Sequence, residues 1–449
     1  MKGGKGNMAV TRRQFVAGMG ALAASMGFNS AQIAKITEAL AVGGLGEGVK
    51  PKVLWVHGAE CTGCSVSLLS LYEDARGTAV FDRNGNTVYS TLDALGLAAD
   101  ADAVPRTLQD GGFNVDPSPY AVTIGDILID WVDLQYHETL MTMGGDLAYQ
   151  MLVDNMLHTG GGDPFVLVVE GAVQDHTMDG AWGDGSLYPW CSVGMPDTPA
   201  GAKGGLLDLS FDDVVEKLST RTDCLAVISI GQCASFGGYP AAVPPAFMGV
   251  GDSGGRQTPA FGVHEFLGEH KGHTVVADNK VVNVPGCPPN PWWFVLTVVA
   301  YLIDLKATLA APPGTLGPLG ILEAATPYPK IVGGVDTARR LNAVYGTPLH
   351  GPTCPRYKDF VKGEFASTPG MSGCLQLIGC KAPAVNSLCG AHGWNGQQPQ
   401  NRQAAPSVDA YGIAEVSGIR GSNCLSAGHP CMACTEQGYP DRFVPFVTR

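Results

Sequence analysis

The chain has 449 residues, 45% of them hydrophobic, enough for more than one buried core, so a disordered polypeptide is excluded. Its 61 glycines and 31 prolines supply turns without the strict period of a collagen. Acidic residues number 41 against 28 basic, and the resulting charge of −13 argues against a nucleic-acid partner.

From the N-terminus, Thr11-Arg12-Arg13-Gln14-Phe15-Val16 precedes an apolar run, Val16 to Phe28, and Ala39-Leu40-Ala41 follows in an A-x-A arrangement. This order reads as a twin-arginine export signal over residues 1–41. The run of ~13 residues is too short to span a bilayer as a helix. Removing residues 1–41 leaves 40 acidic and 23 basic side chains, a mature charge of −17. The twin-arginine route carries folded proteins, which suggests a cofactor inserted before export. The expected location is the periplasm or the outer face of the cell membrane, with no membrane anchor in this chain.

Lys52 to Gly58 is an apolar run ending at glycine, and Ser65 to Tyr72 continues as an amphipathic helix. Strand, tight turn and helix open a doubly wound α/β unit. Strand-like runs recur at Pro164–Gly171, Cys224–Gly231 and Thr274–Val276 continuing to Val281–Pro285, all apolar on both faces, as in a covered parallel sheet. Helical patterns at Phe211–Thr220 and Val263–His270 complete the alternation. The fold class predicted for residues 50–305 is therefore a flavodoxin-like doubly wound parallel sheet domain. Residues 73–118 interrupt it as a surface insertion with a hairpin turn at Asn84-Gly85. Pro291 to Ile303 is the most apolar segment, but Asp304 and Lys306 end it short of the ~20 residues of a membrane span, so it reads as a buried helix. A Pro/Gly-rich linker, Ala310 to Pro318, leads to a mostly irregular C-terminal domain, 340–449, which needs staples to fold.

The 13 cysteines are an odd number, so at least one sulfur is free or metal-bound. Cys61 and Cys64 lie in the first strand-to-helix turn, where the helix dipole should lower their pKa values. Cys191 follows the strand-like run ending at Gly171, and Cys233 follows the one ending at Gly231. Strand ends converge on one sheet edge, so these four thiolates are expected to meet, as an iron–sulfur cluster or zinc requires. Farther on come His350, Cys354, Cys374, Cys380, Cys389, Cys424, Cys431 and Cys434. They are more numerous and more loosely spaced than the paired C-x2-C ligands of structural zinc. Iron–sulfur clusters lead on this pattern, with zinc and disulfides as alternatives.

Glu60-Cys61-Thr62-Gly63-Cys64-Ser65, Asp133 to Thr139, Gly231-Gln232-Cys233 to Gly238, Asn283-Val284-Pro285-Gly286-Cys287-Pro288-Pro289-Asn290-Pro291 and Gly428-His429-Pro430-Cys431 to Cys434 stand in order along the chain. Together they resemble the small, electron-transferring subunit of nickel-iron hydrogenases. The resemblance implies a proximal 4Fe-4S cluster on Cys61, Cys64, Cys191 and Cys233, facing a nickel-iron large subunit. It implies a distal 4Fe-4S cluster on His350, Cys354, Cys374 and Cys380, although three residues separate His350 from Cys354 where relatives commonly have two. Many members hold a medial 3Fe-4S cluster on three cysteines and a proline. Here Cys424 stands at the proline position beside Cys389, Cys431 and Cys434, as in selenium-containing relatives, so a third 4Fe-4S cluster is expected, with 3Fe-4S if Cys424 is not a ligand. Oxygen-tolerant relatives carry extra cysteines where this chain has Gly63 and Pro196, so no tolerance by that route is expected. Cys224 and Cys287 are left over as packing residues, and Glu60 is a possible proton relay or a cap of the turn. The implied activity is H2 oxidation or evolution, with electrons passed to an external carrier such as a cytochrome c or a membrane quinone-linked subunit. A quinone-reductase-like iron–sulfur subunit is the alternative, although it would not need the ligands from His350 to Cys434. Residues 73–118 and 172–190 carry no assigned role.

Overall fold

An uninterrupted apolar run can be buried on both sides only inside a sheet with helices on each face, and Val53 to Val56 is such a run. The computed structural model describes residues 52–69, 132–158, 164–178, 190–194, 209–242, 258–300 apart from 292 and 299, 334–351, 354–392 and 423–448, with the backbone of four short strands between 72 and 123. The expected export signal, the linker 310–318, Pro196 and most of 73–118 and 179–189 lie outside the described residues.

The central sheet comprises β1 (Lys52–His57), β2 (Asp133–His137), β3 (Phe165–Glu170), β4 (Cys224–Ile230) and β5 (Val281–Val284). All neighbours run parallel. The spatial order is β2-β1-β3-β4-β5, the flavodoxin-like order predicted from the alternation. Every residue of β3 and β5 is buried, which is why these stretches read as continuous apolar runs. The edge strand β2 is different. Its first three residues, Asp133, Leu134 and Gln135, are only half-buried, so the apolar signal is weak there and the strand is not visible as a run.

Helices α1 (Gly63–Leu69), α2 (Gly145–Leu157), α3 (Phe211–Thr220) and α4 (Gly231–Phe236) connect or cover the strands. In α3, Val214, Val215 and Leu218 recur at helical spacing and are all buried, while Asp213 and Lys217 pair across one turn at 3.5 Å on the outer face. Val263–His270 is helical as predicted, its second half wound as a π-helix. Thr274 to Val276 corrects an expectation: the stretch is the start of helix α5 (Thr274–Lys280), not a strand. Only Ala277 of α5 is buried, and Val275 is 72% exposed. The β-branched residues thus carry no sheet packing, and the crossover into β5 overrides their propensity. After Pro291, residues 293–298 are helical and Trp293, Leu296 and Thr297 are fully buried, as expected of a core helix. No helix among the described residues is long and apolar enough to cross a membrane. Within the insertion, Val80–Phe81 pairs antiparallel with Thr87–Tyr89, the expected hairpin, and Tyr72–Asp74 pairs with Ala121–Thr123.

The C-terminal part has no sheet among its described residues. Short helical turns and isolated bridges surround a small core of Leu349, Leu375, Ile378, Val385 and Leu425, with Cys354 and Cys431 inside it. Buried polar contacts fasten it to the sheet. The Tyr345 hydroxyl donates to the Pro285 carbonyl at 2.8 Å, and Gln232 Nε2 donates to the Glu436 carbonyl at 2.9 Å. Arg340 is buried between Asp336 and Glu436, at 2.8 and 2.9 Å.

Candidate metal centres

Parallel register aligns the ends of the strands: His57 lies opposite Glu170, Glu170 opposite Ile230, and Ile230 opposite Val284. The chain therefore leaves β1, β4 and β5 along one edge, beside the switch point between β1 and β3, where doubly wound sheets hold ligands. Cys61 and Cys64 follow β1, Cys233 follows β4 and Cys287 follows β5. The charges of Cys61, Cys233 and Cys287 all act on the Cys64 thiol, and Cys287 and Cys61 act on Cys233. These four thiols lie within electrostatic reach of one another.

That grouping differs from the expected set at two cysteines. The groups acting on Cys191 are carboxylates. Cys191 Sγ is directed at the His57 carbonyl at 3.9 Å, and its thiol is pushed up to about 11 by burial and then by the carboxylates of Glu138, Glu60 and Asp212, with no cysteine contributing. Cys287, expected as packing, is the fourth cysteine of this electrostatic group. The chain distances differ: Cys191 is 21 residues beyond Glu170, the end of β3, whereas Cys287 is three beyond Val284, the end of β5. The dipole argument fails at Cys64. Burial, then the Glu170 carboxylate, push the Cys64 thiol well up, because Glu170 already occupies the N-terminus of α1. Its Oε1 accepts from the N–H groups of Cys64 and Ser65 at 3.1 and 3.0 Å, and its Oε2 from the Ser65 hydroxyl at 2.6 Å and Trp55 Nε1 at 3.2 Å. Glu170 is not among the sequence candidates, although a lone carboxylate closing a wholly buried strand is a signal that could have found it. Glu60 Oε1 lies 3.2 Å from His57 Nδ1 and accepts from the Thr62 hydroxyl at 3.1 Å, contacts that brace the turn.

Glycines keep space beside the sulfurs. Gly231 has φ +86°, and a Cβ there would stand 2.3 Å from Cys64 Sγ; at Gly238, φ +53°, it would stand 2.9 Å from Cys233 Sγ. Gly231→Ala should combine left-handed strain of about 1 kcal/mol or more with displacement of the Cys64 ligand. Loss of iron and of visible absorption in the purified variant is the expected outcome.

The C-terminal cysteines form two further sets. Cys354 feels Cys374 and Cys380, and Cys380 feels Cys374, with burial raising the Cys354 thiol to about 11. His350 stands edge-on to Tyr357 and Phe360, ring centroids 5.5 and 4.6 Å away, and its buried Nε2 has no hydrogen-bond partner among the described residues. An unmet buried polar atom costs about 1–3 kcal/mol, which a metal at Nε2 would remove. Arg356, unremarked in the sequence, is buried and donates to the carbonyls of Leu425, Met371 and Gly373, drawing three loops around this set. In the other set Cys424 acts on Cys389 and Cys434, and Cys434 and Cys389 act on Cys431. Cys380 acts on both Cys424 and Cys431, so Cys424 stands where the two C-terminal groups adjoin. Cys224 stays apart, buried with its thiol directed at the Ala226 carbonyl at 3.5 Å, as expected of core packing.

The three sets adjoin in sequence. The Cys434 sulfur accepts the backbone N–H of Cys287, and the Cys380 sulfur accepts that of Cys431 at 3.3 Å. A series of cysteine groups results: Cys61, Cys64, Cys233 and Cys287; then Cys389, Cys424, Cys431 and Cys434; then Cys354, Cys374 and Cys380, with His350 four residues before Cys354 in the chain. Thiols gathered in this way are held as thiolates by a bound cation, and thiolate-rich sets suit iron–sulfur clusters or zinc.

Residues 120–301 match the family model described as NADH ubiquinone oxidoreductase, 20 Kd subunit, and residues 345–407 match the model for the C-terminal part of the NiFe/NiFeSe hydrogenase small subunit. The chain is 26% identical over 439 residues to the periplasmic [NiFeSe] hydrogenase small subunit of Desulfomicrobium baculatum, covering 98% of this chain and 99% of that protein. It is 26% identical to the periplasmic [NiFe] hydrogenase small subunit 1 of Nitratidesulfovibrio vulgaris, covering 97% and 93%. Among solved structures, the reduced, active Ni-Fe-Se hydrogenase from Desulfomicrobium baculatum aligns with a TM-score of 0.53 at 25% identity, over 89% of this chain and 98% of that one.

Proposed function

We propose that this chain is the small, electron-transferring subunit of a nickel-iron hydrogenase of the NiFe/NiFeSe type. The observation that carries the reading is the series of three cysteine groups, each joined to the next through a backbone N–H and a cysteine sulfur. Similarity to hydrogenase small subunits over nearly the whole chain supports it.

The proximal ligands proposed are Cys61, Cys64, Cys233 and Cys287, with Cys191 released from that role. The medial ligands are Cys389, Cys424, Cys431 and Cys434, and the distal ligands His350, Cys354, Cys374 and Cys380. Bound iron–sulfur clusters would supply one-electron relay sites between a nickel-iron centre in a large subunit and an external acceptor. The chain's own residues set the conditions for that relay. Glu170 clamps the turn that presents Cys61 and Cys64, Gly231 and Gly238 keep space at the sulfurs, and the apolar surroundings of Cys431 and Cys434 exclude water.

The finer readings rest on the same resemblance: residues 1–41 as an export signal to the periplasm, 50–305 as the sheet domain, and 340–449 as the cluster domain. Pro196 matches the extra cysteine of oxygen-tolerant relatives only by standing five residues after Cys191; with Cys233 third in the proximal set, the corresponding position is Gly238. Neither Gly63 nor Gly238 offers a supernumerary thiolate, and no oxygen tolerance by that route is proposed. The quinone-reductase-like alternative accounts for residues 120–301 alone. It leaves the two C-terminal sets without a purpose.

Co-purification tests the reading. Drawn from its native host, the chain should carry a nickel-containing partner, and the complex should reduce methyl viologen with H2. The chain alone should show iron–sulfur absorption and no H2 oxidation; activity without the partner would overturn the assignment.

A further inference from the structure

Charge is divided unevenly along the chain. Residues 42–333 hold 33 acidic and 13 basic side chains, a balance of −20, whereas residues 334–449 hold 7 acidic and 10 basic, a balance of +3. The end of the series of proposed ligand sets, at His350, lies in the part that the acid excess does not reach.

The surface there is built from two short elements. Helix α6 (Tyr357–Lys362) turns Tyr357 and Phe360 inward onto His350 and leaves Lys358, Val361 and Lys362 exposed, Val361 by 68%. The turn Gln376–Ile378, between Cys374 and Cys380, buries Ile378 and exposes Leu377 by 67%. Phe365 and Met371 are also exposed. The other charged groups nearby are Asp359, Glu364, which meets Lys362 at 3.9 Å, and Lys381. Exposed apolar side chains thus lie within a few residues of His350, Cys354, Cys374 and Cys380 in the chain, among three lysines and two carboxylates.

We propose that this face docks a small acidic redox protein that presents an apolar patch around its own redox centre. The inference rests on the hydrogenase reading and names the acceptor's chemistry. Opposite charge favours approach at the lysines, and the −20 balance of the sheet part repels the same carrier elsewhere. A basic carrier would be drawn to the sheet part, away from the exit. Once the partners meet, Val361 and Leu377 exclude water from the contact.

The test uses the intact heterodimer under H2, with an acidic and a basic monohaem cytochrome c as probes and methyl viologen as control. K358E/K362E should slow reduction of the acidic cytochrome by roughly tenfold at low ionic strength, and the gap should close near 1 M salt, where the Debye length is about 3 Å. V361S/L377S should slow it at every salt concentration. Both variants should reduce methyl viologen at the wild-type rate. A K358E/K362E variant that reduces the acidic cytochrome as fast as wild type, or a wild-type enzyme that prefers the basic cytochrome, overturns the docking surface. Failure of the wild type to reduce viologen overturns the hydrogenase reading instead.

Discussion

Cys287→Ser is expected to remove the proximal cluster and bring H2-dependent dye reduction to background, whereas Cys191→Ser should leave both intact. The contrast follows from position. Cys287 shares electrostatic contact with Cys61, Cys64 and Cys233, and its N–H is donated to the Cys434 sulfur of the next set. Losing that side chain removes one ligand and disturbs the junction through which electrons must leave. Because a relay in series has no bypass, the loss of one station should stop turnover. Cys191 borders Glu138, Glu60 and Asp212, so serine there exchanges one small polar group for another beside the turn. Iron and acid-labile sulfide analysis of the purified heterodimer supplies the measurement. Wild type and Cys191→Ser should hold about twelve iron atoms in the small subunit, and Cys287→Ser about eight. Iron lost from Cys191→Ser and kept in Cys287→Ser would return Cys191 to the proximal set.

The proposed exchange of these two cysteines marks where the sequence is legible. The buried strands announce themselves as apolar runs, and the strand-to-helix turn with Cys61 and Cys64 follows from them. The rule that parallel strands end on one edge points to Cys233 after β4. Applied to Val281–Pro285 it points equally to Cys287, close behind β5. It does not extend to Cys191, because a cysteine 21 residues beyond Glu170 is no longer tied to the strand end. Strand β2 is hidden because an edge strand is less deeply buried and shows Asp133 and Gln135 to solvent. The valines of α5 mislead because periodicity over so short a segment cannot separate a strand from a helix. Glu170 and Arg356 cannot be assigned from spacing at all. Their roles come from hydrogen bonds to Ser65 and Leu425, 105 and 69 residues away in the chain. In the cysteine-rich part, ligand types are readable but their grouping needs the fold. Without periodic elements to count from, only contacts can divide eight ligands into two sets.

Cys424→Ala is expected to convert the medial cluster from four irons to three. The expectation rests on the proposed ligand set: the Cys424 charge acts on the thiols of Cys389 and Cys434, and burial, with Cys380, raises its own thiol above the ordinary range. Asn423 steadies the loop by donating to the Cys389 carbonyl at 3.1 Å, and the N–H of Ser426 returns to its Oδ1 at 3.0 Å. Alanine at 424 leaves those bonds in place and removes only the sulfur. Three cysteines hold three irons without a protein ligand for the fourth. The small subunit should then contain about eleven iron atoms, and the medial potential should rise by on the order of 0.1 V, since cluster type is a main determinant of potential. A three-iron cluster is paramagnetic when oxidised and a four-iron one when reduced. Air-oxidised Cys424→Ala should therefore give a strong electron paramagnetic resonance signal that wild type lacks. H2-dependent reduction of a high-potential dye should survive, because a raised medial site still lies on the route to such an acceptor. Evolution of H2 from reduced viologen should fall, because electrons moving toward the nickel-iron site must then climb out of the medial station. Unchanged iron content and an unchanged oxidised spectrum would place Cys424 outside the ligand set.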